Sequence, residues 1–362
     1  MPFFKPFTAQ MASQQLQQRL AKAAAKRPDR PLQAHLSSPL LGLDVSFAAN
    51  GPDLPYHSAS VGKLFTASVA FGLAQAGMLN LDAPITTWLD EARLQGLFLA
   101  EASAVTTRML ISHTSGVADY FEGITSDGVA DSFIAQVLAQ PNQLYQPWDL
   151  VEYTRQRQKP LFAPGAGFGY SDTGYILLGL VCEAATGKPL EQLLQEMIFG
   201  PAKMADSWLA FGQGGRLRPG QAVAPAWFNR VELSRANSLS CDWAGGGLFG
   251  TSADMVRFAH ALNQGMLTGP DALDQMRACP NKFQPGLYYG AGGMEARFGD
   301  FFFLLGSLPR LKGHIGVLST HLWYQPEKQL AIALNLADNT RMEESFRLLI
   351  DLLMIVGRLK TP

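Results

Sequence analysis

Cysteine is scarce in this 362-residue chain: three thiols stand at Cys182, Cys241 and Cys279, far apart and without C-x-x-C spacing. Neither a disulfide framework nor a cysteine zinc site can be built from them. Cys182 lies in an apolar helical run and is expected to be a buried structural thiol. An excess of either charge is also lacking, since 29 Lys and Arg meet 30 Asp and Glu. That excludes nucleic acid as the main partner, because holding phosphates requires a surplus of cations. No block of like charge could serve as a tail.

Long hydrophobic runs are missing. The most apolar late stretch, Phe346 to Val356, is broken by Arg347 and Asp351, and it falls short of the roughly 20 apolar residues of a membrane helix. The opening Met-Pro-Phe-Phe-Lys-Pro-Phe has no apolar region of the about 7–15 residues that a secretory leader needs. The expectation is a soluble, cytoplasmic protein without a membrane span. Several signatures of chemistry are absent too. There is no H-E-x-x-H for a zinc peptidase. Gly62-Lys63 is no phosphate loop, because His57 stands where its first glycine belongs and Leu64 where Ser or Thr is required. Gly169-Tyr170-Ser171-Asp172-Thr173 misses the last glycine of a nucleophile elbow. No metal or organic cofactor is expected.

What is there is ordinary globular material, 47% hydrophobic and 16% charged, with enough length to bury a large core in about two domains. Residues 9–26 are good helix formers. Leu41 to Ala48 is apolar enough for a strand and runs into the turn signal Asn50-Gly51-Pro52. Ser60 to Ala76 carries apolar residues at helical spacing, with Gly77 as its stop. The stretch from about 80 to 225 is rich in helix signals and loops, including an apolar helix from Tyr175 to Ala185. The last third changes character: Phe301–Leu305, Val317–Tyr324 and Gln329–Leu336 read as strands, with a hairpin turn at Gln325–Lys328, before a closing helix over about 341–356. This order predicts a mixed α/β (α+β type) fold, an antiparallel sheet flanked by helices and built from both chain ends. A mostly helical domain (79–225) is inserted between the halves of a discontinuous α/β domain (1–78 and 226–362), with the active site between them.

The chemistry starts at Ser60-Val61-Gly62-Lys63. Spacing of i to i+3 on a helix sets both side chains on one face. A serine hydroxyl needs a partner to take its proton, and burial at a helix start would favour such use of a lysine and negative charge at the serine. On its own S-x-x-K is a short motif with many chance occurrences. It does not stand alone. Tyr56 to Ala67, Pro164-Gly165-Ala166-Gly167-Phe168-Gly169-Tyr170-Ser171-Asp172 and His314-Ile315-Gly316 follow in order, with Leu110–Gly116, Gly245-Gly246-Gly247-Leu248 and Ser252-Ala253-Asp254 between them.

Together these segments resemble the β-lactamase-like, penicillin-recognising serine hydrolases, in the branch of class C β-lactamases, D-peptidases and family VIII-type esterases. The resemblance spans about residues 40 to 340. It implies that Ser60 attacks a carbonyl to form an acyl-enzyme, that Lys63 and Tyr170 jointly handle its proton, and that the backbone N–H groups of Ser60 and Val317 hold the oxyanion beside Gly316. Two positions depart from the family pattern. Asp172 stands where Asn is usual, and an ionised Asp can only accept hydrogen bonds; it could instead pair with Lys63 and hold its proton in place. His314 stands where a lysine would hold a β-lactam carboxylate. Both favour an esterase or D-amino-acid peptidase acting on a small ester or amide. A β-lactamase proper taking a lactam, an acyltransferase on the same site and a non-catalytic binding protein of this fold are the alternatives. His113 is expected to be a structural hydrogen-bonder, His321 packed or solvent-facing, and the triple glycine a place of close backbone approach. Trp148, Phe121, Tyr145, Trp243 and Tyr288 are candidates for lining the cleft.

Overall fold

The structure is a computed structural model that describes residues 6–130, 132–211 and 220–361; Met1 to Lys5 of the N-terminal reading lie outside them. Helix α1 (Ala9–Ala24) begins at Thr8, whose hydroxyl accepts from the Met11 N–H. Two strands follow, β1 (Gln33–Ser38) and β2 (Leu43–Ala48). The remaining strands of the main sheet come from the other end of the chain: β3 (Asn281–Gln284), β4 (Leu287–Tyr289), β5 (Met294–Ala296), β6 (Leu311–Gly316), β7 (Thr320–Gln325) and β8 (Leu330–Asn335). They form one eight-stranded sheet in the order β2-β1-β8-β7-β6-β5-β4-β3, antiparallel throughout. The expected assembly from both chain ends is therefore observed.

Burial on both faces explains why β8 reads as a nearly continuous apolar run. Every residue of β7 and β8 is buried. The two faces differ in size. Leu330, Ile332 and Leu334 pack with Leu16 and Leu20 of α1 and Leu349 and Leu352 of the C-terminal helix. Ala331 and Ala333, pointing the other way, join the second core. Small side chains there admit the helix Ser252–Asn263 against β8.

Two helices at the centre are buried nearly all round. In α2 (Gly62–Gln75) every residue from Gly62 to Leu73 is buried, and in α3 (Asp172–Thr186) every residue from Thr173 to Cys182. Such helices lack a polar face because no side of them meets water. They pack on each other and on the short helix Trp243–Gly246. The closing helix α4 (Met342–Gly357) lies against α1.

Two strand expectations are corrected. Phe301–Leu305 is a helical turn, Phe298–Phe301, followed by a 3₁₀ turn, Phe303–Leu305. Its Phe303 is 76% exposed; with no strand among the described residues paired to it, aromatic β propensity alone does not make a strand. Val317–Tyr324 is interrupted, because the chain reverses directly after Gly316, with Ser319 at positive φ and Gly316 opposite Thr320. That reversal leaves residue 317 at the mouth of a hairpin.

Candidate active site

Ser60 lies in a 3₁₀ turn, Ala59–Val61, that leads into α2. The turn is wedged between two backbones. On one side is the triple glycine: Ser58 Oγ donates to the Gly246 carbonyl at 3.0 Å, and Thr66 Oγ1 donates to the Ala244 carbonyl at 2.7 Å. A Cβ at position 246 would sit 2.6 Å from the Ala59 carbonyl oxygen and 3.2 Å from the Ser60 nitrogen, so only glycine lets the two chains approach this closely. On the other side is the end of β6. Thr320 Oγ1 donates to the Ser58 carbonyl at 2.9 Å, and a Cβ at position 316 would meet both Ala59 and Ser58 at 2.8 Å. The segment carrying Val317 is thereby held beside Ser60.

Lys63, one helical turn on, is completely buried. Its ammonium has three acceptors: Ser60 Oγ at 3.1 Å, the Gly245 carbonyl at 2.8 Å, and the Asp172 carboxylate in a short ion pair. All three N–H donors are thus used, which is how a buried lysine offsets its lost hydration. The Ser60 hydroxyl also lies within hydrogen-bonding reach of the Tyr170 phenol, where either hydroxyl can donate. The phenol is held well above its usual range by burial first and by the Asp172 charge second, with the Ser60 bond acting the opposite way.

Tyr170 and Asp172 straddle the start of α3. Ser171 caps that helix by accepting from the Gly174 N–H at 3.2 Å, while its own N–H donates to His113 Nδ1 at 3.1 Å. Asp172, the first residue of the helix, also meets its positive end. Beneath it lies Asp119, which accepts from the backbone N–H groups of Phe121, Glu122 and Asp172. Burial and the neighbouring Asp172 carboxylate push Asp119 up to about 7. Asp242, partly buried and near Asp172, is likewise pushed up to about 7 by desolvation first and the Asp172 charge second. Neither Asp119 nor Asp242 belongs to a motif, and sequence reasoning missed both; so it did the Gly245 carbonyl, because backbone acceptors carry no sequence signal.

The structure gathers Ser60, Tyr170, Asp172, Gly316 and Val317 around one cleft of about 200 Å³, with Lys63 behind them. His314 is placed elsewhere. It is buried below the cleft, its Nδ1 against the Ile315 carbonyl at 2.6 Å, and burial followed by the Lys63 charge lowers it to about 3. A neutral imidazole closed off from the opening does not reach a substrate carboxylate. Of the five aromatic candidates only Phe121 lines the cleft; Phe283, Met342 and Phe346 do so without having been singled out. Trp148 lies on Arg93 and Tyr288 on Arg297, while Tyr145 and Trp243 are core residues. His113 and His321 are both buried hydrogen-bonders, the latter to Ser345 Oγ at 2.7 Å. Among the described residues no three His, Cys, Asp or Glu side chains are grouped to hold a metal ion, and no helix is long and apolar enough to cross a membrane.

The family model described as Beta-lactamase matches residues 44–352, most of the chain. The chain belongs to the β-lactamase family. Among curated relatives of this β-lactamase-family chain, Esterase EstB of Burkholderia gladioli is 28% identical over 331 residues, covering 80% of the chain and 79% of that protein. Penicillin-binding protein 4* of Bacillus subtilis (strain 168) is 31% identical over 153 residues, which is 42% of the chain and only 30% of that protein. The solved D-stereospecific amidohydrolase from Streptomyces sp. superposes with a TM-score of 0.74 at 26% identity, covering 90% of the chain and 94% of that structure.

Proposed function

We propose that this protein is a serine hydrolase of small esters or amides that works through an acyl-Ser60 intermediate. The observation that carries the reading is Lys63 donating to Ser60 Oγ at 3.1 Å, with Ser60 and the Tyr170 phenol lining one cleft. The names of the esterase and amidohydrolase relatives support the same substrate classes.

Because the ammonium of Lys63 already serves three acceptors, it acts as a fixed positive charge behind the nucleophile, and Tyr170 moves the proton. Ser60 Oγ bonds to the substrate carbonyl carbon as the Ser60 proton passes to the Tyr170 oxygen and, in the same step, the phenol's own proton passes to the leaving oxygen or nitrogen, so Tyr170 never carries two protons. The resulting oxyanion is held by the N–H groups of Ser60 and Val317 and collapses as the bond to the protonated leaving group breaks. Water then repeats the sequence in reverse and frees the acid.

An ester or amide without a carboxylate is favoured over a β-lactam. The cleft is lined by Glu122 and Asp172 and by no Lys, Arg or His among the described residues, so nothing there would pair with a substrate carboxylate, and the acidic groups would repel it. Incubation with a fluorophosphonate followed by peptide mass spectrometry tests the reading. The expected adduct is on Ser60, lost in Ser60→Ala; a folded protein whose Ser60 stays unmodified overturns it. A panel of p-nitrophenyl esters, D-alanyl amides and nitrocefin is expected to give turnover of the first two and little of the last.

A further inference from the structure

A second, largely apolar pocket adjoins the cleft. It is lined by Val137, Leu138, Phe228 and Leu239, and it shares Phe121 and Val317 with the Ser60 cleft. Phe121 and Phe228 meet edge to face at 6.3 Å across it. Asp242, the one carboxyl in its lining among the described residues, lies 3.6 Å from His57 Nε2. Val317 supplies both a wall of this pocket and, in the function proposed above, an oxyanion N–H. An acyl group whose carbonyl oxygen points to that N–H thus has its chain beside the wall that the two cavities share.

We propose that this pocket is the acyl-binding site, and that it selects short unbranched aliphatic acyl groups of three to four carbons; the inference rests on the hydrolase reading. The size limit follows from its volume of about 30 Å³, room for two or three groups the size of a water molecule, each of which needs roughly 10–15 Å³. An acetyl group leaves it empty and an octanoyl group overfills it. Anionic acyl chains are excluded, since the lining offers them no cation and burying an unpaired charge is costly.

The test is the kcat/KM series for p-nitrophenyl acetate, butanoate and octanoate. Each methylene buried is worth about fourfold, so butanoate is expected to exceed acetate by about tenfold or more, with octanoate falling back. Val137→Phe and, separately, Leu239→Phe fill the pocket and touch none of the proposed catalytic groups. Each is expected to erase the butanoate advantage while leaving acetate within about threefold. A flat series in the wild type, or equal loss on acetate and butanoate in a variant shown by circular dichroism to be folded, overturns the proposal. Calorimetric binding of the same esters to Ser60→Ala separates the two readings. Affinity that rises from acetate to butanoate, with no turnover by the wild type, keeps the pocket and sinks the hydrolase; affinity that is flat sinks the pocket whatever the turnover.

Discussion

The ammonium of Lys63 and the carboxylate of Asp172, 109 residues apart in sequence, form an ion pair beneath Ser60, with the lysine fully buried and the carboxylate side chain 13% exposed. Breaking a pair of this kind leaves a charge with lost hydration and no partner. Lys63→Met and Asp172→Asn alone are each expected to cost about 3–5 kcal/mol of stability. The double variant, which buries no unpaired charge, is expected to recover part of that loss. Denaturant unfolding of all four proteins checks it, and additive losses in the double variant would count against the pair.

Tyr170→Phe removes one hydroxyl and keeps the ring, which packs on His113 at 4.4 Å and on Phe283 at 5.1 Å. Folding is expected to be unchanged within about 1 kcal/mol. If the phenol carries the proton, kcat falls about 10²–10⁴-fold with KM little altered. A kcat within threefold of the wild type would leave the proton to another group.

Gly246→Ala places a methyl group 2.6 Å from the Ala59 carbonyl oxygen. Backbone on both sides makes relief difficult, so about 1–3 kcal/mol of stability is expected to be lost, and kcat/KM to fall more than tenfold as Ser60 is displaced. Gly357→Ala, at the end of α4 where nothing lies within 4 Å, is the control and is expected to leave turnover unchanged and to raise stability by no more than about 1 kcal/mol. Thermal unfolding and ester turnover measured on the two variants decide this.

Asp242 gives stability a pH dependence of known sign. Its carboxyl keeps its proton up to about 7 when folded, through burial and then the Asp172 charge, against 3.8 for the free group. Between those values the folded state binds more protons than the unfolded one, so stability falls as pH rises through that window. Asp242→Asn cannot titrate. Its stability relative to the wild type is expected to rise between pH 4 and pH 7 and level off above, by a few kcal/mol at most, since one pH unit of such a difference is worth about 1.4 kcal/mol. Scanning calorimetry at pH 5 and pH 8 reads the difference. An identical change with pH in both proteins would contradict it.

Local features of the site were legible in the sequence because helix geometry is local. Residues three apart share a face, so Ser60 and Lys63 come together wherever that helix is placed, and Ser171 is a capping residue wherever α3 starts. The central buried helices and β8 announced themselves as apolar runs, and Gly245-Gly246-Gly247 as a place of close approach. The strand expected at Phe301–Leu305 failed because a strand needs a partner, and no local signal reports whether one is near. Tertiary structure alone settled what desolvation and long-range contact control. It decided that Asp172 closes on Lys63, that Asp119 and Asp242 are pushed up by desolvation and the Asp172 charge, and that His314 is buried instead of facing the cleft. It also decided that Phe121 and Val317 are common to two cavities. Sequence spacing fixes neighbours within a turn of helix; burial and charge pairing across a hundred residues follow from packing, and only the folded chain contains them.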